Sequence, residues 1–280
     1  MSRFTGRRAL VTGASRGIGA GIAERLAAEG ADLVLTARTL EENSGHRLQG
    51  SLRTTAARLA KYGTRVKVLA ADLTDPAARA EVVPGAVELL GGDLDILVNN
   101  AAAAIYQPMA DFPLRRRMLS FEANVHAPLD LMQAVIPGMR QRGSGWIVNL
   151  SSATTRVFPG PPFELVEPGS AMGIYGATKA ALNRITNALG AELYGSGIRV
   201  NTVQPEAAVL SEGAAQLVGQ TLRPEQIEAL EEMVEAVVAL CDCPPDLTGR
   251  ICVSLDLINE LDLTVRALDG APWNRSEVSA

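Results

Sequence analysis

Seven short apolar runs, separated by segments of helical character, constrain this chain most. They are Ala9–Thr12, Leu33–Ala37, Val66–Ala71, Ile96–Asn99, Trp146–Leu150, Arg199–Val203 and Ile251–Leu255. Most are nearly continuously apolar, as strands are when helices cover both faces of their sheet. Strands alternating with helices build βαβ units, and such units build a doubly wound parallel sheet. The pattern predicts an α/β fold: a single domain with a parallel sheet of about seven strands and helices on both faces. Its 280 residues show no linker and no internal repeat. In such a sheet the ligand crevice lies beyond the carboxyl ends of the strands, where strand order reverses.

The first apolar run leads directly into Thr12-Gly13-Ala14-Ser15-Arg16-Gly17-Ile18-Gly19. Ile18, Ile22 and Leu26 then recur every four residues, the stripe of a helix, and Gly30 is placed to end it with a left-handed residue. Strand, glycine turn and helix are the context that gives a glycine motif meaning. Glycines let a pyrophosphate approach the backbone closely, and N–H groups at the helix start bind anions. Further along, Tyr175-Gly176-Ala177-Thr178-Lys179 sets a phenol and an ammonium at i and i+4. In a helix both leave the same face. A phenol titrates near 10, and bringing it near 7 takes roughly 4 kcal/mol in favour of the phenolate. A neighbouring ammonium acts in that direction.

The glycine turn, Asn99-Asn100-Ala101 and Tyr175-x-x-x-Lys179 together resemble the short-chain dehydrogenase/reductase family, from about residue 5 to about residue 256. The long turn after the second strand and Leu48-Gln49-Gly50-Ser51-Leu52 resemble its hydroxysteroid-dehydrogenase-like members. The resemblance implies a Rossmann-type fold and an oxidoreductase that interconverts an alcohol and a carbonyl with NAD(P)(H). It implies Ser152 as the serine that donates to the substrate oxygen, with Ser151 its structural neighbour. Tyr175 becomes the general acid/base, and Lys179 the residue that lowers its pKa and holds the nicotinamide ribose. Asn124 resembles the helix-kink asparagine that supports a proton-relaying water. Hydride chemistry belongs to the cofactor, and no metal is required.

Implied cofactor contacts are Gly13, Ser15, Arg16, Gly17, Ile18 and Gly19 in the turn, Asp72 and Leu73 after the third strand, and Asn100 and Ala101 after the fourth, with Tyr175 and Lys179. Cofactor choice is read after the second strand. An acidic residue there binds the ribose 2′-hydroxyl, whereas arginine accommodates a 2′-phosphate. Here Ala37 stands where NAD-binding members often carry Asp, and Arg38 follows it. Arg38 and Arg16 suit a phosphate, so NADP(H) is preferred, with NAD(H) as the alternative. Two positions depart from the family pattern. Ala102 replaces a glycine after Asn99-Asn100-Ala101, and Glu206 replaces the glycine of a Pro-Gly pair. The downstream nicotinamide-side threonine is missing too, with Leu210 near its place and Ser211 next. These departures keep open a cofactor-binding sensor or assembly subunit of low turnover.

Two segments read as insertions. Thr39–Ser51 is polar, and Phe158–Gly173 contains Pro159, Pro161, Pro162 and Pro168 and excludes a regular helix. The second lies between Ser152 and Tyr175, as a substrate-side loop over 158–173 would. Residues 272–280 read as a flexible tail. Net charge is −5 with both signs mixed, which gives no electrostatic case for nucleic acid or an anionic membrane. Arg115-Arg116-Arg117 reads as a solvated helix start. No apolar stretch approaches spanning length and no secretory signal is evident. Cys241, Cys243 and Cys252 read as reduced and unliganded, consistent with a cytoplasmic location. The expected partners are a small alcohol or carbonyl substrate and further copies of the chain. By resemblance these form a homotetramer or homodimer through residues near Leu129–Met139 and Ala180–Leu193.

Overall fold

The computed structural model describes residues 2–42, 49–163, 171–209 and 227–275. Its main sheet has seven parallel strands. Six are β1 (Arg8–Thr12), β2 (Asp32–Ala37), β3 (Val66–Ala70), β4 (Ile96–Asn99), β5 (Gly145–Leu150) and β6 (Ile198–Gln204). A two-stranded parallel pair follows, β7 (Ala208–Val209) with β8 (Ile227–Glu228), before the last sheet strand, β9 (Ile251–Val253). The order β3-β2-β1-β4-β5-β6-β9 reverses between β1 and β4. The ligand crevice of a doubly wound sheet belongs at that reversal.

Side chains alternate across the strands with period two, so one strand feeds both faces. Ala9 and Val11 of β1, Leu33 and Leu35 of β2, and Val148 of β5 enter one apolar layer. Leu10, Val34 and Ile147 enter the other. The first layer is closed by α1 (Gly17–Ala28), α2 (Leu52–Leu59), α8 (Leu230–Leu240) and α9 (Ser254–Glu260). The second is closed by α4 (Val82–Leu90), α6 (Ala127–Arg142) and α7 (Gly173–Glu192). Two further helices, α3 (Pro76–Ala80) and α5 (Leu114–Phe121), complete the chain order.

The strand boundaries predicted from sequence shift by one or two residues. The third ends at Ala70, and the last ends at Val253 because Ser254 already begins α9. The polar insertion after β2 lies partly outside the described residues, as do 164–170 of the proline-rich one and Leu210 and Ser211. Within residues 272–275, Pro272 bridges to Arg266 and the Arg275 guanidinium lies 3.4 Å from the Glu232 carboxylate.

Candidate active site

The glycine turn occupies the carboxyl end of β1. Gly13 and Gly17 have φ of +67° and +55°, which residues with a side chain rarely adopt. A Cβ on Gly13 would come within 2.7 Å of Asn100 Nδ2 and 2.9 Å of Ala101 Cα. The adjoining β4 turn is bonded to the same place. Asn100 donates through Nδ2 to the Thr12 carbonyl at 2.8 Å, and Thr12 Oγ1 accepts from the Asn100 and Ala101 N–H groups at 3.0 Å each. The start of α1 carries no side-chain cap and no acidic residue in its first turn. Uncapped N–H groups beside a cradle that a methyl group would fill fit a dinucleotide phosphate. Ser15 is buried in this turn. Ala102 has no positive φ, since among described non-glycine residues only Asp262 does, so its methyl group adds no backbone strain.

Arg16 folds back over the insertion. It donates to the Gln49 carbonyl at 2.8 Å, to the Gly50 carbonyl at 2.7 Å and to Thr39 Oγ1 at 3.4 Å. That last bond sets its guanidinium one residue from Arg38, whose side chain is exposed. The Arg38 charge also reaches Asp72. Burial works against it, yet hydrogen bonds from Thr74 and the Arg38 charge hold the Asp72 carboxyl below its ordinary value. Leu73, next to it, is buried. These residues lie at the carboxyl ends of β2 and β3, on the side of β1 away from β4.

The second group gathers at the ends of β4 and β5 and on α7. Ser152 caps a short 3-10 turn, Ala153–Thr155. Its Oγ accepts from the Thr154 N–H at 3.2 Å and lies 2.9 Å from Thr154 Oγ1 as acceptor. With both lone pairs engaged, its own proton is left to donate outward. The neighbouring Ser151 is different: its Oγ is buried and has no partner. Gly176 lets the Thr154 carbonyl approach α7, since a Cβ there would strike that oxygen. This close approach sets Ser152 beside Tyr175, near enough for its hydroxyl to act on the phenol.

Lys179 lies below the phenol, 2% exposed, with Nζ donating to the Leu150 carbonyl at 2.7 Å and 5.8 Å from the Tyr175 ring centroid. Burial lowers its pKa to about 8. Burial also dominates at Tyr175. It pushes the phenol above its ordinary value, Tyr106 pushes the same way, and the nearby Ser152 hydroxyl opposes them. The pair by itself therefore does not hold Tyr175 near neutrality. The i, i+4 spacing places both groups on one face, but the ammonium is aimed at Leu150 rather than at the phenol oxygen.

Asn124 is completely buried in a π-helical turn, Glu122–His126, between α5 and α6. The Ala127 N–H donates five residues back to Glu122, and Pro128 has no N–H to offer the Asn124 carbonyl. The Asn124 amide exchanges bonds with the Ala103 backbone at 2.8 and 3.1 Å and donates to Thr178 Oγ1 at 3.0 Å. It thereby ties the loop after β4 to α7, one residue from Lys179.

Three features of this neighbourhood have no motif in the sequence. Tyr106, on the loop after β4, meets the Tyr175 ring edge-on, with centroids 5.7 Å apart at 62°. Glu206 is neither inert nor unpartnered: its carboxylate pairs with Arg156 at 2.7 Å, joining the loops after β5 and β6. Its N–H is held by the buried Glu228 carboxylate at 2.7 Å. An aromatic in a loop and a glutamate twenty-two residues downstream carry no spacing that announces such contacts.

Comparison with known proteins agrees with this arrangement. Residues 7–219 match the family model described as short chain dehydrogenase. Oxidoreductase UcpA of Escherichia coli is 33% identical over 273 residues, covering 96% of this chain and 95% of its own. A short chain dehydrogenase from Mycobacterium thermoresistibile superposes with a TM-score of 0.78 at 28% identity, over 93% of this chain and 89% of its own. A 3-oxoacyl (acyl-carrier-protein) reductase from Agrobacterium tumefaciens, solved with NADP bound, superposes with a TM-score of 0.74 at 27% identity, over 89% and 93%. With its sheet order, glycine turn and full-length relatives, the chain belongs to the short-chain dehydrogenase family of NAD(P)(H)-linked oxidoreductases.

Proposed function

We propose that this protein interconverts an alcohol and a ketone or aldehyde, prefers NADP(H), and uses Tyr175 as its general acid/base. The observation that carries this reading is the convergence of Ser152, Tyr175 and Lys179 at the end of β5, on one sheet edge with the glycine turn. When bound, the nicotinamide supplies and accepts the hydride. The chain's own groups do the rest. Gly13, Ser15, Gly17, Ile18 and Gly19 would receive the pyrophosphate at the α1 start, with Asn100 and Ala101 bracing the turn, and Asp72 and Leu73 would border the adenine. Ser152 donates its remaining proton to the substrate oxygen and stabilises the charge that grows there. Tyr175 gives that oxygen a proton in reduction and removes it in oxidation. Lys179, close to neutrality in its pKa, exchanges a proton readily and would hold the nicotinamide ribose. Asn124 keeps the α7 turn and the β4 loop in register.

Cofactor preference rests on Arg16, which reaches Thr39, and on Arg38, the residue before Thr39, with Ala37 leaving space where an acidic residue would repel a phosphate. The Agrobacterium relative binds NADP as well. The test is kcat/KM with each cofactor for the wild type and for Ala37→Asp/Arg38→Gln. The wild type should favour NADP(H), and the double variant should shift the ratio toward NAD(H) by about tenfold or more, the worth of one charge-assisted phosphate bond. An NAD(H)-preferring wild type, or an unmoved ratio, would remove the arginine reading and leave the Tyr175 reading intact.

A further inference from the structure

The loop after β4 is fastened at two points on either side of Tyr106. Ala103 is bonded to Asn124, and the Gln107 N–H donates to the Ala171 carbonyl at 2.9 Å, just before α7 begins. Between these anchors the Tyr106 ring stands edge-on against Tyr175. Burial holds the Tyr106 phenol above its ordinary value, so it remains a neutral hydroxyl. Two residues before Tyr175, Gly173 lacks a side chain, and Met109 lies across it. Met109 is nevertheless 59% exposed. The chain that leaves Ser152 presents Val157 at 89% exposure and Phe158 at 50%. Large apolar groups this open, on the two loops that border Tyr175 and leave Ser152, mark a surface meant to be covered. The one charge pair at this rim among the described residues, Arg156 with Glu206, is internally balanced. Arg116 donates to the Gln107 amide at 2.9 Å and is the group an anionic substrate would have to recruit.

Resting on the oxidoreductase reading above, we infer that Tyr106 is a substrate-positioning residue and that the mouth it borders takes an uncharged, apolar alcohol or ketone. The Tyr106 ring fixes the body of the substrate beside the Tyr175 hydroxyl, while Met109, Val157 and Phe158 cover its far end. None of these side chains moves a proton to do this, so the effect falls on binding rather than on chemistry.

Three ketones separate the alternatives: tetralone, which is bicyclic and apolar; acetone, which is small; and acetoacetate, which is anionic. With NADPH the wild type should rank tetralone first in kcat/KM and acetoacetate last. Tyr106→Ala should raise KM for tetralone by roughly tenfold, the scale of losing an apolar wall, while kcat changes by less than about threefold. Tyr106→Phe should stay near wild type. Val157→Ser, at an exposed site that leaves folding undisturbed, should raise KM for tetralone in the same direction. Acetoacetate as best substrate, an unmoved KM in Tyr106→Ala, or a Val157→Ser effect on oligomer mass alone would overturn the inference. If no ketone is turned over, calorimetry of tetralone with the NADPH-loaded protein decides. Binding weakened by Tyr106→Ala upholds the inference, and no binding ends it. Failure of NADPH itself to bind would instead overturn the oxidoreductase reading.

Discussion

At the scale of single residues, two adjacent serines show how little sequence distance separates chemistry from support. Ser152 accepts twice from Thr154 and keeps a proton to donate, beside Tyr175. Ser151 buries an unpartnered hydroxyl. Ser152→Ala should lower kcat by about 10²–10³, the usual loss of one donor to a developing oxyanion. Ser151→Ala removes a buried polar atom that makes no bond, and should leave kcat within about threefold while raising stability slightly. The reverse order of effects would exchange their roles. The glycine turn, the Tyr175 and Lys179 pair and Asn124 were readable because each is a local signal, fixed by φ, by helical spacing or by a strand end. The direction of the Lys179 ammonium was not readable. It depends on the Leu150 carbonyl, twenty-nine residues away on another element.

At the scale of elements, the loop after β6 is held in a way that the departure at Glu206 disguises. Its side chain reaches Arg156 on the β5 loop, and its N–H reaches Glu228 on β8. Burial raises Glu228 to about 7, only partly offset by Ser254 and by the Glu206 and Ala207 N–H groups, with Glu232 adding to the rise. A carboxyl whose folded pKa is raised holds its proton more tightly when folded. Its contribution is therefore complete below about pH 4.3, the unfolded value, and is lost as pH climbs through 7. Wild-type Tm should accordingly decline between pH 5 and 8. Glu228→Gln, which cannot ionise, should flatten that decline by about 3 °C or more. Parallel pH profiles in a melting experiment would contradict the assignment. Nothing in the sequence pairs Glu206 with Glu228, because the contact forms only when β8 is folded beside the end of β6. The seven strands of the main sheet, by contrast, were legible to within two residues, since burial on both faces demands apolar runs, whereas the short β7–β8 pair was not.

At the scale of the whole molecule, α6 and α7 present one further face. Leu129, Ile136 and Pro137 of α6 and Ile185 and Leu189 of α7 line a groove of about 430 Å³ on the outer side of the second core layer. This is where the sequence placed the contact between copies, and a homo-oligomer remains our proposal. Ile185→Glu with Leu189→Glu would put charges into that contact. Light scattering should then find a smaller species than the wild type, whereas a monomeric wild type at micromolar concentration would refute it. The doubly wound parallel sheet of seven strands, a crevice at the strands' carboxyl ends and the family were all accessible from local pattern. The substrate mouth was not, because Tyr106 reaches Tyr175 and Met109 reaches Gly173 only when the loop after β4 is folded against α7. The proposed chemistry turns on Tyr175, half-buried on α7 beside Ser152, Tyr106 and Lys179. The most direct measurement is kcat of Tyr175→Phe beside its NADPH affinity. We expect turnover to fall by about 10² or more, since a benzene ring carries no proton, while Kd for NADPH changes by less than about threefold. Retention of most of kcat by Tyr175→Phe would contradict the assignment of the general acid/base.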